Sequence, residues 1–248
     1  MCTRFVYRGN DMLTGFNFDI DLSVWTHKVI TDKDRFFIGI LRPDGKYHSY
    51  HGVNRNGNVG TLLYVHGNDQ GVYEEGQDCM TIADLTEQFI QAKLSFDDAL
   101  QLIRTKKITY APDSTMQAML SDVNGRTLII EPGIGYREEN GRYSLITNYS
   151  LLKPESTREF IVPGDDRYER ALEILENMDS DGNAFTVEDG FSLLRAVRQE
   201  EPWATRVSFV FSGKERAVYY VENGQLHYAE NEQLEENCFF NSIKKYTF

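Results

Sequence analysis

Residues 1–19 read MCTRFVYRGNDMLTGFNFD. Two aromatic-rich runs within this stretch, 5–7 and 15–19, predict a first pair of β-strands. Cys2 comes just before the first run. Because a small second residue allows the initiator methionine to be removed, we expect Cys2 to become the first residue of the mature chain. Its thiol and its free α-amine would then belong to one residue.

A cysteine in this position can supply both a nucleophile and a base. A thiol is a strong nucleophile, and a free α-amine has a pKa of roughly 7.7–8.0, so a useful fraction is unprotonated at neutral pH. Cys2 could therefore react without a separate histidine. Taken alone, a cysteine after the initiator methionine favours an inert thiol, and the rest of the chain has to supply the case for a catalytic one.

The rest of the chain alternates groups of strands with groups of helices. Turn signals such as Asp44-Gly45, Asn56-Gly57 and Asn124-Gly125 separate many of the β-rich runs. The predicted strands cover 5–7, 15–19, 35–41, 47–51, 61–65, 115–120, 127–131, 143–147, 206–211, 217–221 and 225–229. The predicted helices cover 81–92, about 166–178 and about 187–198. A further helix is predicted to begin at Ser95, which forms a capping pattern with Asp98. This grouping predicts sheets flanked by helices in packed layers.

The composition indicates a globular protein, and we expect one domain over 1–248. The chain has 248 residues, 41% of them apolar, and a formal charge of −12. The acidic balance argues against nucleic-acid binding, and no apolar run is long enough for a membrane-spanning helix. The N-terminus lacks the apolar core of a signal peptide, so we expect a cytoplasmic protein. The cysteines and histidines form no metal-binding motif, and we expect neither a metal nor a cofactor.

Five segments, taken together, resemble one known family. In chain order they are CTR (2–4) with GFNFD (15–19), VNRNG (53–57) running on to LLY (62–64), NGRTLIIEP (124–132), LITN (145–148) and DRYERA (166–171). Their order and spacing resemble the choloylglycine hydrolase and penicillin V acylase family of N-terminal-nucleophile hydrolases, which cleave linear amides. The resemblance implies an α+β fold, the four-layer αββα sandwich.

The resemblance also implies a role for each matching position. Cys2 would be the nucleophile, with its α-amine as the base. Asp19 would hold the α-amine by a charge-assisted hydrogen bond. The side-chain amide of Asn148 and the backbone N–H of Tyr64 would donate to the developing oxyanion. Arg167 would lie near the nucleophile and favour the thiolate.

Two features depart from the family pattern. Phe16 stands where the family usually has an arginine beside the nucleophile, and Arg4 or Arg167 would have to supply that charge. The segment between Asn148 and Arg167 lacks the long insertion that helps to build the tetramer of bile-salt hydrolases, which leaves the homo-oligomeric state open. In its shorter form the chain also resembles the acyl-CoA:6-aminopenicillanate acyltransferase-like proteins.

The leading hypothesis is an amidase that acts on a small-molecule amide through an acyl-enzyme thioester on Cys2. The substrates implied are N-acyl amino acids, acyl-lactones, penicillin V or conjugated bile acids. One alternative is an acyltransferase, in which an amine instead of water takes the acyl group. The other is a non-catalytic binder on the same fold, suggested by Phe16, because an apolar ring beside the thiol would raise the thiol pKa.

Overall fold

The computed structural model describes residues 1–180, 184–223 and 238–248. The strands are β1 (Cys2–Arg8), β2 (Met12–Asp19), β3 (His27–Asp32), β4 (Arg35–Leu41), β5 (Tyr47–Asn54), β6 (Val59–Tyr64), β7 (Cys79–Thr81), β8 (Lys107–Thr109), β9 (Met116–Ser121), β10 (Thr127–Glu131), β11 (Gly135–Glu139), β12 (Tyr143–Ile146), β13 (Thr205–Ser212), β14 (Ala217–Glu222) and β15 (Lys244–Thr247). The helices are α1 (Ile82–Ile90), α2 (Phe96–Thr105), α3 (Arg167–Ser180) and α4 (Val187–Ala196). None of these helices has the length and apolar character needed to cross a membrane.

Two antiparallel sheets form the centre of the molecule. The first has the order β12-β1-β2-β13-β14-β15, and the second has the order β11-β10-β9-β6-β5-β4-β3. In the first sheet β1 lies between β2 and β12, with Cys2 opposite Phe18 and Arg4 opposite Ile146. This arrangement places the beginning of the chain, the end of β2 and the residues that follow β12 at one edge of the sheet.

Three apolar cores separate four layers. The core between the two sheets joins residues such as Phe16 and Phe209 of the first sheet to Phe36 and Met119 of the second. On its outer face the first sheet packs against α3 and α4, and the outer face of the second packs against α1 and α2. The order of layers is therefore helices, sheet, sheet, helices. This is the αββα sandwich that the sequence resemblance implies, and the fold prediction is confirmed.

The helix α2 begins where its predicted capping residue, Ser95, places it. Ser95 accepts from the backbone N–H of Asp98, and the Asp98 carboxylate accepts from the backbone N–H of Ser95, which completes the predicted capping box. Thr186 and Asp189 form the same pair at the start of α4. Each cap satisfies N–H groups that have no partner within the helix.

Five strands were absent from the sequence prediction, namely β3, β7, β8, β11 and β15. Three of them, β3, β11 and β15, are edge strands, and β11 is exposed along most of its length. These three strands bury little on either face, so their sequences lack the alternation that marks a half-buried strand. The strands β7 and β8 have only three residues each. The predicted strand 225–229 lies outside the described residues, and the single domain over 1–248 stays a prediction.

The pairing of β1 with β2 requires a glycine at position 15. A Cβ atom built on Gly15 would lie 2.2 Å from the ring of Phe5, which is buried directly opposite. We predict that Gly15→Ala lowers the free energy of unfolding by about 1–3 kcal/mol, because the ring or the strand must move. Urea unfolding would measure this change.

Gly76→Ala is the matched control. A Cβ atom there meets only the Cys79 sulfur, at 3.8 Å, so the free energy of unfolding should change by less than about 0.5 kcal/mol. Equal effects of the two substitutions would contradict this account of the strand pair.

Candidate active site

The main-chain nitrogen of Cys2 is held by a side chain from a distant part of the sequence. It donates a hydrogen bond of 2.7 Å to Oδ1 of Asn148. Cys2 is buried at the first position of β1, and Asn148 follows β12, which pairs with β1 along the sheet. The amine of Met1 donates to the carbonyl oxygen of Asp19 at 2.9 Å. The start of the chain is therefore fixed by Asn148 on one side and by the end of β2 on the other.

The Asn148 side chain connects three parts of the site. Its Oδ1 also accepts from Nη2 of Arg167 at 3.1 Å, and its Nδ2 donates to the carbonyl oxygen of Tyr64 at 2.7 Å. An amide nitrogen carries two hydrogens. The bond to Tyr64 uses one of them, and the second makes no hydrogen bond to the residues described.

Tyr64 reaches the site with its main chain, while its side chain is about half exposed. The next residue, Val65, donates to the carbonyl oxygen of Thr115 across the ladder at 3.2 Å. In an antiparallel ladder hydrogen-bonded pairs alternate with pairs that exchange no hydrogen bond. The Tyr64–Met116 pair therefore exchanges none, and the N–H and C=O of Tyr64 both face away from β9. This edge is where the C=O meets Asn148, so the N–H is available there as a donor.

Arg167 is an arginine that contacts this group of residues directly. It begins α3, is 2% exposed, and donates to the carbonyl oxygen of Cys2 at 3.1 Å. Its guanidinium also binds both carboxylate oxygens of Asp165, at 2.8 and 2.7 Å, and Asp165 accepts from the hydroxyl of Tyr149. Although burial alone would lower the pKa of Arg167, the carboxylates of Asp165 and Asp19 raise it. Arg167 is thus a fixed positive charge beside Cys2.

The Asp19 carboxyl group is buried and only partly satisfied. Its Oδ1 accepts from the hydroxyl of Thr205 at 2.6 Å. Its Oδ2 has no hydrogen-bond partner among the described residues and lies 3.6 Å from Nη1 of Arg167. Burial raises the pKa of Asp19 to about 6, against the opposing effects of the Met1 amine and Arg167. The hydrogen bond to the Cys2 nitrogen is made by Asn148, so the role of Asp19 as holder of the α-amine stays a prediction.

The Cys2 thiol is shielded from solvent in the chain that carries Met1. Burial raises the pKa of the thiol to about 11, while the Met1 amine and Arg167 act in the opposite direction. The sulfur lies 3.9 Å from the carbonyl oxygen of Asp19. In this form the thiol is protonated at neutral pH.

Phe16 and Arg4 lie opposite each other, two register steps from the pair of Cys2 and Phe18. The Phe16 ring is fully buried and stacks on His51, with ring centroids 5.2 Å apart. The guanidinium of Arg4 donates to the hydroxyl of Ser121 and to the main-chain carbonyl oxygen of Phe5. Burial lowers the pKa of Arg4 to about 9. Of the two arginines considered as replacements for the family arginine, Arg167 is the one that contacts Cys2.

The five predicted site residues come from five separate segments, and the fold brings them together. Cys2, Asp19, Tyr64 and Asn148 line one cavity, and Arg167 contacts Cys2 and Asn148 from behind. Two further residues, Asp165 and Thr205, were missed by the sequence reasoning. Asp165 stands two positions before Arg167, where a paired carboxylate could have been suspected. Thr205 gave no signal, because its contact with Asp19 spans 186 positions of sequence.

The cavity beside Cys2 has a volume of about 1160 Å³. Its walls are largely apolar and include the aromatic side chains of Phe18, Trp25, Tyr64, Tyr110, Phe160 and Trp203. Within the described ranges, no group of three or more histidine, cysteine, aspartate or glutamate side chains could hold a metal ion. The site therefore offers a thiol, amide donors and a fixed guanidinium at the side of an apolar cavity.

No protein-family model and no curated protein matches the sequence. The solved structures do give matches. A variant of conjugated bile acid hydrolase from Clostridium perfringens matches with a TM-score of 0.66 and 16% identity, over 100% of this chain and 97% of that chain. The chain has the fold of the N-terminal-nucleophile hydrolases.

Two other members of that fold class also match. Penicillin V acylase from Agrobacterium tumefaciens matches with a TM-score of 0.58 and 17% identity, over 89% of this chain and 83% of that chain. The Caenorhabditis elegans ortholog of N-acylethanolamine-hydrolyzing acid amidase matches with a TM-score of 0.57 and 11% identity, over the full length of both chains. At these identities the likeness establishes the N-terminal-nucleophile hydrolase fold, and the activity has to be argued from the site.

The raised pKa of Asp19 predicts a pH-dependent stability. The folded carboxyl keeps its proton up to about pH 6, whereas the unfolded one releases it near pH 3.9. Between these values the folded chain binds more protons, so the contribution of Asp19 to stability falls as the pH rises. We predict that the free energy of unfolding of the wild type, relative to Asp19→Asn, falls by up to about 3 kcal/mol between pH 4 and pH 7.

Urea unfolding of both proteins at the two pH values measures this difference. Asp97→Asn serves as the control, because that side chain is exposed and pairs with Arg126 on the outside of α2. If the difference in the free energy of unfolding between the wild type and Asp19→Asn stayed constant with pH, the raised pKa of Asp19 would be contradicted.

Proposed function

We propose that the chain is a cysteine N-terminal-nucleophile amidase, which hydrolyses a linear carbon–nitrogen amide bond through an acyl-enzyme thioester on Cys2. The observation that carries the proposal is the 2.7 Å hydrogen bond between the Cys2 nitrogen and Asn148, at the wall of a large apolar cavity. That nitrogen becomes the α-amine once Met1 is removed. We place the activity in a single domain over 1–248 and in the cytoplasm.

The removal of Met1 turns a peptide nitrogen into a basic amine. Asn148 already accepts from this nitrogen and would keep the free amine beside its own thiol. The amine takes the thiol proton, and the sulfur attacks the amide carbonyl carbon. The resulting cation lies on the same residue as the thiolate and favours it. Arg167, which contacts the Cys2 carbonyl oxygen, adds a second positive charge.

The tetrahedral intermediate needs donors for its oxyanion. The second N–H of Asn148 and the backbone N–H of Tyr64 would be these donors, and removal of one such donor typically costs about 2.7–4 kcal/mol of barrier stabilisation. The ammonium group then gives its proton to the leaving amine, and the C–N bond breaks to leave a thioester. A water molecule deprotonated by the amine attacks that thioester, which releases the acid and regenerates the thiol.

The resemblance and the structural neighbours suggest the candidate substrates. N-acyl amino acids, acyl-lactones, penicillin V and conjugated bile acids all combine an apolar acyl group with an amide nitrogen. The names of the neighbours refer to conjugated bile acids, penicillin V and N-acylethanolamines. An apolar cavity of about 1160 Å³ suits a bulky apolar acyl group of this kind.

A specific observation also favours a second candidate, the non-catalytic binder. The Cys2 thiol has a pKa of about 11 in the chain with Met1 attached, because it is buried. A thiol that kept this pKa after processing would carry almost no thiolate at neutral pH. The two candidates differ in what happens when the sulfur is replaced.

We predict that Cys2→Ala lowers turnover of a responsive acyl amide by at least about 1000-fold, because the attacking atom is lost. Cys2→Ser should retain only a small residual rate, since its hydroxyl is a weaker nucleophile. The measurement is steady-state hydrolysis across a panel of acyl amides.

Cys79→Ala is the control, since Cys79 is a free cysteine on β7, away from the cavity, and it should keep the wild-type rate. Turnover that survives in Cys2→Ala would refute the mechanism. Wild-type protein that binds the amides without turning any of them over would favour the non-catalytic binder.

A further inference from the structure

We propose that the cavity selects amides whose acyl chain is long and apolar and whose amine portion carries no negative charge. Amides of carboxylate- or sulfonate-bearing amines would be disfavoured. This inference rests on the proposed function, because it names the substrate class of the same site. It separates the candidate substrates, since N-acyl amino acids, penicillin V and conjugated bile acids are anions and acyl-lactones are neutral.

The volume and the apolar lining of the cavity favour a long, apolar acyl chain. Its volume of about 1160 Å³ is at the upper end of the range for small-molecule sites. The apolar wall continues to the surface, where Val72, Phe160, Val162 and Trp203 line the cavity and are each more than a third exposed. Exposed apolar groups around a cavity mark a surface that a ligand covers.

The charges of the residues that line the cavity disfavour an amine portion that carries a negative charge. Among the described residues that line the cavity there is no lysine or arginine, and the two carboxylate residues are Asp19 and Asp113. Moving an anion out of water into an apolar cavity is costly unless a cation pairs with it. The formal charge of −12 adds a long-range repulsion of anions.

Two arginines that contact residues of the cavity lining are already paired. Arg167 binds both oxygens of Asp165 and is almost fully buried. Arg42 forms an ion pair with Asp113, and its guanidinium lies over the ring of Trp25, 5.3 Å from the centroid. Neither guanidinium is free to bind the carboxylate of a substrate.

His51 provides a polar but uncharged group in the same wall. Its Nδ1 accepts from the backbone N–H of Leu62 at 3.2 Å, so the proton of the neutral ring is on Nε2. The ring is enclosed by Phe16 and Phe18, and burial lowers its pKa to about 3. His51 therefore stays neutral and can donate to a hydroxyl, ether or carbonyl oxygen of a neutral substrate.

Three amides with one acyl chain test the inference, namely N-octanoylethanolamine, N-octanoylglycine and N-octanoyltaurine. They differ in the charge of the amine portion and are compared at one pH, pH 8. We expect kcat/KM of the ethanolamide to exceed that of either anion by at least about 30-fold. Equal values, or a preference for the glycine or taurine amide, would overturn the inference.

A binding measurement keeps the two proposals distinguishable. If none of the three amides is turned over, hydrolysis across the wider panel of acyl amides decides the proposed function, and titration calorimetry with the Cys2→Ala protein decides the selectivity. Binding of the ethanolamide at least about 10-fold tighter than that of the glycine amide supports the inference. Equal affinities, or no binding of any of the three, overturn it.

Asp113→Asn tests the role of the paired arginine. Loss of this exposed carboxylate leaves Arg42 with an unpaired charge beside the cavity, so the preference for the ethanolamide over the glycine amide should fall at least about threefold. Asp97→Asn, which breaks an ion pair with Arg126 on the outside of α2, should leave the preference unchanged. An unchanged preference in Asp113→Asn would show that the charges at this wall do not set the selectivity.

Discussion

The hydrogen bond between the Cys2 nitrogen and the Asn148 side chain is the interaction on which the site depends. It forms because β1 lies between β2 and β12, so that the first residues of the chain meet the segment that follows β12. The same Asn148 side chain reaches across to the main chain of Tyr64, in the other sheet. A single amide thus joins the start of the chain, both sheets and the guanidinium of Arg167.

The electrostatic design of the site is a balance of buried charges. Asp19 and the Cys2 thiol are both shielded from water, which favours their protonated forms. Arg167 opposes this effect, but it is also paired with the Asp165 carboxylate through two hydrogen bonds. The thiol therefore needs a further positive charge to become a thiolate, and the α-amine exposed by the loss of Met1 would provide one. Processing and activation would then be the same event.

The sequence predicted the buried strands of the two sheets better than most of the strands at the sheet edges. The buried strands β1, β2 and β10 and the Ser95 cap were found because alternation and capping chemistry are local signals. The edge strands β3, β11 and β15 carry no such signal, since they bury little on either face. The αββα arrangement itself came from the order of five motifs, because pairing between distant strands leaves no mark in local sequence.

The sequence also predicted which residues would gather at the site, but not all of their hydrogen-bond partners. The five residues expected from the resemblance lie around one cavity or directly behind it, although their roles stay predictions. Thr205 could not be assigned, because its contact with Asp19 joins two distant segments. Asp165 lies only two positions from its partner Arg167, so a local pairing could have been suspected. The tautomer of His51 depends on a backbone N–H from a neighbouring strand, which no sequence pattern records.

The central claim is that Cys2 becomes the first residue and carries the acyl group. Intact-mass spectrometry and N-terminal peptide mapping, before and after reaction with an acyl amide, test it directly. The account predicts a purified chain that lacks Met1, and an acyl adduct on the peptide that begins with Cys2, removable by hydroxylamine. An active protein that retains Met1, or an acyl group attached to any other residue, would contradict it.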